Sequence, residues 1–177
     1  VDKTKALMLH RIGDMARLQT DAIIISSCLG VVWVGLIGTY KMIVNSVSGY
    51  VNLIFNSVIS SFGNLIATES REKQFQLFLV YRFFAIWVYG FSAVGFFLLL
   101  SPLVELYVGA DRVLATSIIA WYLTDYFFKG ERVVLSNFKT AAGVFEQDKY
   151  LSILQGIVNL VLSIALVFQI GLAGVFI

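Results

Sequence analysis

Long apolar runs, separated by short breaks that hold charges or glycines, are the feature that most limits what this chain can form. The clearest run, FFAIWVYGFSAVGFFLLL at residues 83–100, contains no charged side chain. A membrane-spanning helix needs about 20 mainly apolar residues. The composition agrees, because 59% of the 177 residues are hydrophobic and 14% are charged, against about 25% charged residues in soluble domains. The sequence therefore predicts an integral membrane protein.

The breaks divide the chain into apolar segments, each of which we interpret as a helix. The predicted segments cover residues 4–30, 32–69, 73–108, 111–143 and 147–169, and residues 171–177 would begin another. At 1.5 Å per residue the second would be about 55 Å long, nearly twice the hydrocarbon thickness, so it projects from the bilayer, bends at its Gly and Ser residues, or breaks. The predicted fold class is all-α: a polytopic transmembrane helical bundle of about five spans.

Polar residues recur at helical spacing within these apolar segments. In the first segment His10, Asp14, Arg17 and Asp21 fall within roughly 60° of one another on a helix. Three further stripes follow the same rule: Lys41, Asn45, Asn52, Asn56, Ser60 and Gly63 in the second segment; Asp125, Lys129, Arg132, Ser136 and Lys139 in the fourth; Ser152, Gly156, Asn159 and Ser163, with Gln155 beside them, in the fifth. Because a charge at the bilayer centre costs about 3 kcal/mol or more, these stripes must face a bundle interior or water.

Two explanations of the stripes stay open. In the first explanation, Ser, Asn and small residues hold membrane helices together. This explanation is the better one for the fifth segment, and for the second segment the two explanations are equally good. A hydrated substrate cavity suits the charged stripes of the first and fourth segments better, because their Arg and Lys residues need counter-charges or water. Placement of Lys139 and Arg132 at the cytoplasmic interface is a further alternative for that pair.

Basic residues predict the orientation of the chain. The N-terminal end and the breaks after the second and fourth segments contain most of them: Lys3, Lys5, Arg71, Lys73, Lys139 and Lys149. The breaks after the other three segments contain only Arg112. By the positive-inside rule we expect the N-terminus and the breaks at residues 70–74 and 143–149 to be cytoplasmic.

The sequence lacks the motifs that are typical of several other classes of protein. There is no P-loop, no HExxH motif and no paired cysteine motif, so we expect no nucleotide cofactor and no metal. The single histidine, His10, has Asp14 and Arg17 as helical neighbours, and the single cysteine, Cys28, excludes a disulfide framework. Basic residues are scattered along helices, which argues against a nucleic-acid partner. No acid/base or nucleophile group suggests an enzyme.

Three runs resemble the second half of bacterial polysaccharide flippases of the multidrug/oligosaccharidyl-lipid/polysaccharide (MOP) exporter superfamily. They are DAIIISSCLGVVWVGLIGTYKMIVNSV (21–47), IFNSVISSFGNLIATESREK (54–73) and FFKGERVVLSNFKTAAGVFEQDKY (127–150). The resemblance implies two six-helix lobes, with this chain, residues 1–177, as a partial C-terminal lobe whose segments are helices seven to eleven. It also implies movement of undecaprenyl-pyrophosphate-linked oligosaccharide across the cell membrane through a central cationic cavity.

That substrate suggests roles for the striped residues. A pyrophosphate needs Arg or Lys in a partly desolvated site. Arg17 and Lys41 are the first candidates, followed by Arg11, Lys129 and Arg132. The sugars would meet Asn52, Asn56, Gln155 and Asn159, and the polyprenyl tail would stay among membrane lipids. Asp14, Asp21 and Asp125 are candidates for ion coupling, or equally structural partners of the nearby cations.

Other functions stay open at this stage. A MATE-like drug or organic-cation antiporter of the same superfamily would have an acidic or aromatic cavity, and a purely structural membrane protein would leave the charged stripes unexplained. A membrane glycosyltransferase or polymerase would require a large outer loop or a carboxylate pair. The chain begins VDKTK rather than with Met and has no signal-peptide pattern, so we expect it to be an internal piece of a longer protein that lacks its first lobe.

Overall fold

The computed structural model describes residues 21–143 and 149–176, with side chains throughout except at residues 149–153. The described part consists of helices and turns without a strand, which confirms the all-α prediction. Helix α1 covers residues 21–28. The helices that follow it are α2 (Val31–Ser57), α3 (Ile59–Thr68), α4 (Arg71–Val108), α5 (Thr116–Ala142) and α6 (Lys149–Ile170). Two short 3₁₀ turns cover Ala110–Arg112 and Gly171–Val175.

The helix ends follow from local sequence signals. Gly30 and Gly109, which stand just after α1 and α4, have φ angles of 101° and 106°, a conformation that costs a residue without a Cβ little. Ser70 precedes α4, and its side chain accepts a hydrogen bond from the Lys73 backbone N–H at 3.4 Å. A serine at this position satisfies one of the free N–H groups at a helix start.

The long second segment is broken, which is one of the three outcomes that its length allowed. Helix α2 ends at Ser57 and α3 begins at Ile59, with Val58 between them at φ −90° and ψ 0°. Serine hydroxyls near the break bond back to their own helix, as Ser57 does to the Ile54 carbonyl at 2.7 Å. Such bonds bend helices and help to place the break here.

Among the described residues, three helical stretches are long and apolar enough to cross a membrane: Val31–Thr68, Arg71–Val108 and Leu154–Val175. The expected number of about five spans is therefore not established. Helix α5 falls short because Asp125, Lys129, Glu131 and Arg132 lie within three turns of one another. Most of the first predicted segment lies outside the described residues.

The described chain divides into two compact units. The first contains residues 21–38, 115–122 and 149–176, and the second contains residues 39–114 and 123–143. In the first unit the ring of Phe176 packs against that of Tyr122 with a centroid separation of 5.2 Å. Residues 171–177, expected to begin a further segment, instead start with the 3₁₀ turn Gly171–Val175. A Cβ on Gly174 would lie 2.5 Å from the Leu166 carbonyl carbon, so this turn folds tightly onto α6.

The core of the second unit is a continuous column of aromatic rings from α2, α3, α4 and α5. Consecutive ring centroids are 4.8 to 5.8 Å apart, the spacing of favourable tilted and edge-to-face pairs. In order along the column the rings are Phe96, Tyr126, Tyr89, Phe55, Tyr81, Phe62, Phe138 and Phe78. This column fixes which face of each helix points inward.

Candidate functional site

Helix α2 presents three different faces in the second unit. One is buried in the core and carries Tyr40, Val44 and Phe55, which are 1%, 1% and 4% exposed. A second is apolar and exposed, and includes Val47 and Ile54, which are 43% and 69% exposed. The predicted polar stripe forms the third face, turned about 100° around the helix from the core-facing residues. The polar stripe is thus distinct from both the packing face and the apolar outer face.

Most of this polar face is not used for packing within the described unit. Asn45 and Asn56 are exposed, as is Ser60 at the start of α3, whereas Lys41 and Asn52 are half-buried. Asn52 lies nearest the core, and its Oδ1 accepts a hydrogen bond of 2.6 Å from the Tyr89 hydroxyl of α4. Asn52 therefore links two helices, while Asn45 and Asn56 lie on the outer surface of the described unit.

The charged stripe of α5 supplies part of its own counter-charge. Lys129 Nζ lies 2.6 Å from Asp125 Oδ2, one helical turn away, with the lysine side chain 48% and the carboxylate 23% exposed. Further along the same stripe Arg132 and Ser136 are exposed and Lys139 is half-buried. The stripe lies on the surface of the second unit, so it is available to water, headgroups or another part of the protein.

An ion pair that the periodicity did not indicate joins α4 to α5. Arg82 Nε lies 3.2 Å from Glu131 Oε2, and the side chains are 53% and 15% exposed. Arg82 was missed because it stands alone among apolar residues, immediately before the run at 83–100, and belongs to no stripe. Arg82 lies at the edge of that run, and its partner is a carboxylate on a neighbouring helix. Periodicity within a single helix cannot show such a pair.

A second set of polar contacts missed by the sequence surrounds the break between α2 and α3. The carbonyl oxygen of Phe55 accepts hydrogen bonds from the Tyr81 hydroxyl at 2.5 Å and from Asn137 Nδ2 at 3.1 Å. Asn137 is 6% exposed, and its Nδ2 also lies 3.4 Å from the Tyr81 hydroxyl oxygen. Three helices thus meet at one backbone carbonyl.

The remaining predicted site residues lie elsewhere. Arg11, Asp14 and Arg17 lie outside the described residues, so their roles stay predictions. Asp21 is half-buried at the start of α1 in the first unit. In α6, Gln155 and Asn159 are half-buried and Ser163 is 4% exposed, while the side chain of Ser152 is not among those described. From the predicted set, the second unit contains Lys41, Asn52 and Asn56 on α2 and Asp125, Lys129 and Arg132 on α5.

Within the described ranges, no group of three or more His, Cys, Asp or Glu side chains is placed to hold a metal ion. Comparisons of the chain with protein-family models, with curated proteins and with solved structures found no match. Function must therefore be argued from the chemistry of the exposed polar faces.

Proposed function

We propose that this chain is part of a membrane transporter that flips a polyprenyl-pyrophosphate-linked oligosaccharide across the cell membrane, for the assembly of cell-surface polysaccharide. In this proposal it forms most of the C-terminal lobe, and another lobe of the same protein completes the transport cavity. The chain carries out no covalent chemistry, because the substrate changes sides without changing its bonds.

The polar face of α2 is the observation that carries the proposal. This helix lies in a stretch apolar enough to cross a membrane, yet Asn45 and Asn56 are exposed on it beside an apolar face suited to lipid, and Ser60 is exposed at the start of α3 in the same stretch. Unsatisfied amides and hydroxyls are costly in hydrocarbon. The face must be covered by a second lobe, by water, or by a polar substrate, and a transport cavity supplies all of these.

The chemistry of the second unit suits a lipid pyrophosphate joined to sugars. Lys41, Lys129 and Arg132 provide cations for the pyrophosphate, together with Arg11 and Arg17 of the first segment. Asn56 offers both a donor and an acceptor to sugar hydroxyls, and Asn52 keeps its amide donor although its oxygen is bonded to Tyr89. Asp14, Asp21 and Asp125 are proposed to couple transport to an ion.

Cysteine labelling tests whether the polar face of α2 borders water. In a protein with Cys28→Ser, single cysteines at Asn45 and Asn56 should react with a small hydrophilic thiol reagent, whereas those at Val47 and Ile54, on the opposite side of the helix, should not. All four positions are exposed on the described unit, so burial within the chain cannot explain a difference. Equal protection of both faces would mean that lipid or tightly packed protein covers the polar face, which contradicts the cavity.

Reconstitution tests the substrate. The full-length protein in vesicles should flip a short-chain, fluorescent polyprenyl-pyrophosphate disaccharide, and Lys41→Gln or Arg132→Gln should slow flipping by about 10- to 100-fold, the value of a charge-assisted hydrogen bond of about 1.5 to 3 kcal/mol. Arg112→Gln is the matched control, because Arg112 is exposed in the turn after α4 and belongs to neither polar face. Transport of an organic cation instead of this probe would favour the antiporter.

The first segment is tested in the same assay. Arg17→Gln should accumulate normally but transport poorly, and Arg17→Lys should recover part of the activity because the charge survives while the planar fork does not. Full transport by Arg17→Gln would show that this charge is dispensable. A loss of protein that is rescued by also neutralising Asp14 or Asp21 would make Arg17 a structural ion-pair partner.

A further inference from the structure

The guanidinium of Arg82 on α4 uses a small part of its hydrogen-bonding capacity within the described residues. Its Nε donates to Glu131 Oε2 at 3.2 Å, and the arginine side chain is 53% exposed. A guanidinium carries five N–H donors in one plane, and the described part of the chain supplies an acceptor to Nε alone. The two Nη atoms therefore keep four donors for a group outside the described chain.

Exposed apolar side chains surround this ion pair on both helices. One turn before and after its two members lie Leu79 and Ile86 on α4 and Phe128 and Leu135 on α5, which are 45%, 41%, 60% and 47% exposed. An exposed apolar surface of this kind is typical of contact with a membrane. The guanidinium thus lies in a surface suited to lipid, where N–H groups without acceptors are costly.

The charge pattern of α4 places Arg82 at one boundary of the hydrocarbon layer. Arg82 and Glu105 are both exposed, and residues 83–104 between them carry no charge. At 1.5 Å per residue this run spans about 33 Å, close to the roughly 30 Å thickness of the hydrocarbon. When the run fills that layer, the guanidinium lies at the level of the phosphate groups in the leaflet on the Arg71 side.

We propose that Arg82 binds the phosphodiester group of a membrane phospholipid in this leaflet. The two Nη atoms donate to two phosphate oxygens, a bidentate arrangement that suits the shapes of guanidinium and phosphate. Glu131 holds the guanidinium in place through Nε. The acyl chains of the lipid lie along the apolar side chains of α4 and α5. This binding depends on insertion into a membrane and is independent of any transported substrate.

A phospholipid suits this surface because it matches both of its parts. A soluble anion would satisfy the guanidinium but would leave the surrounding apolar side chains in water, which is unfavourable. A hydrocarbon chain alone would cover those side chains but would leave the Nη donors without acceptors. The phosphodiester has the charge that complements Arg82, and it is joined to the hydrocarbon that the apolar surface requires.

Native mass spectrometry of the full-length protein, titrated with phosphatidylglycerol in detergent, tests the proposal. Arg82→Gln should weaken binding of the tightest lipid by about 10-fold or more, because at least one charge-assisted hydrogen bond is lost, and Arg82→Lys should recover part of it. Arg71→Gln is the matched control: Arg71 is exposed on the same helix, but about 16 Å further out, beyond the headgroup layer. Unchanged binding by Arg82→Gln, or an equal loss in Arg71→Gln, would overturn the proposal.

Substitutions of Glu131 separate loss of the lipid from disturbance of the fold. Glu131→Gln keeps the Nη donors and should retain the lipid, whereas a loss as large as that in Arg82→Gln would mean that the ion pair itself is required. The double variant Arg82→Gln, Glu131→Gln leaves no uncompensated carboxylate and should still lose the lipid. Recovery of binding in the double variant would attribute the loss to misfolding. Either contrary result would overturn the proposal.

Competition distinguishes the phospholipid from other phosphates. Glycerophosphoglycerol, the same headgroup without acyl chains, should not displace phosphatidylglycerol, because it gains nothing from the apolar surface. Displacement by this headgroup would make the surface a site for a soluble anion. Displacement by a short-chain polyprenyl pyrophosphate at equal concentration would assign it to a transported lipid. Both outcomes would overturn a phospholipid site at Arg82.

Discussion

The Tyr81 hydroxyl donates a hydrogen bond of 2.5 Å to the backbone carbonyl of Phe55, three residues before the break between α2 and α3. A helix that breaks leaves carbonyls without their usual N–H partners, and inside a membrane no bulk water replaces them. Asn137 of α5 donates to the same oxygen at 3.1 Å. The break at Val58 is therefore stabilised by side chains from two other helices as well as by the serine hydrogen bonds of its own segment.

Loss of the Tyr81 hydroxyl should weaken the fold. We expect Tyr81→Phe to lower the free energy of unfolding by about 1 to 3 kcal/mol, because the ring contacts with Phe55 and Phe62 remain while the Phe55 carbonyl loses a partner. Denaturant unfolding of the purified protein in detergent measures the difference. Tyr107→Phe removes the same atom from a side chain that is 77% exposed and should have little effect. Equal stability of the two variants would contradict the role given to this bond.

The contact between Gly130 and Tyr89 yields a second stability prediction. A Cβ on Gly130 would overlap the ring of Tyr89, which is 1% exposed and cannot move outward. We expect Gly130→Ala to cost about 1 to 3 kcal/mol, the usual cost of overpacking, or more. Gly95→Ala is the control, because a Cβ there would meet no atom within 4 Å.

A double substitution separates overlap from other effects of Gly130→Ala. In a Tyr89→Ala background the added methyl group has space, so Gly130→Ala should cost little there. Additive losses in the double variant would show that the ring of Tyr89 is not what the methyl group meets.

The helix boundaries were largely predictable because their causes are local. Glycines able to take a positive φ stand after α1 and α4, and Ser70 caps α4. The position of the α2 break was not predictable, since valine carries no signal for a break and Tyr81 and Asn137, which stabilise it, are distant in sequence. Periodicity placed Asn52 and Asn56 on one face, but only the fold shows that Asn52 meets Tyr89. A pattern within one helix reveals which residues share a face, not what that face contacts.

The ion pair between Arg82 and Glu131 should be asymmetric in its energetics. Glu131 is the more buried partner, at 15% against 53% exposure. Arg82→Gln removes the counter-charge of the Glu131 carboxylate in a poorly hydrated position. It should therefore destabilise more than Glu131→Gln, which leaves an arginine that can reach water. A double-mutant cycle on unfolding free energies should give a coupling of about 0.5 to 1 kcal/mol, as expected for a pair with one solvated partner. Zero coupling would reduce the pair to a surface contact.

The orientation of α4 in the membrane is the last prediction. At 1.5 Å per residue its 38 residues extend about 57 Å, so at least one end passes well beyond the roughly 30 Å hydrocarbon layer. The end at Arg71 has Lys73 beside it, whereas the turn that follows the other end contains Arg112 as its single basic residue. By the positive-inside rule we expect the Arg71 end to be cytoplasmic. In a Cys28→Ser background, Asp111→Cys should therefore react with a membrane-impermeant thiol reagent on intact cells, and Glu72→Cys should react only after the membrane is opened. Both positions are exposed on the protein itself, so failure to react reports the membrane barrier rather than burial. The reverse pattern would invert the orientation and would place the polar stripe of α5 on the outer side.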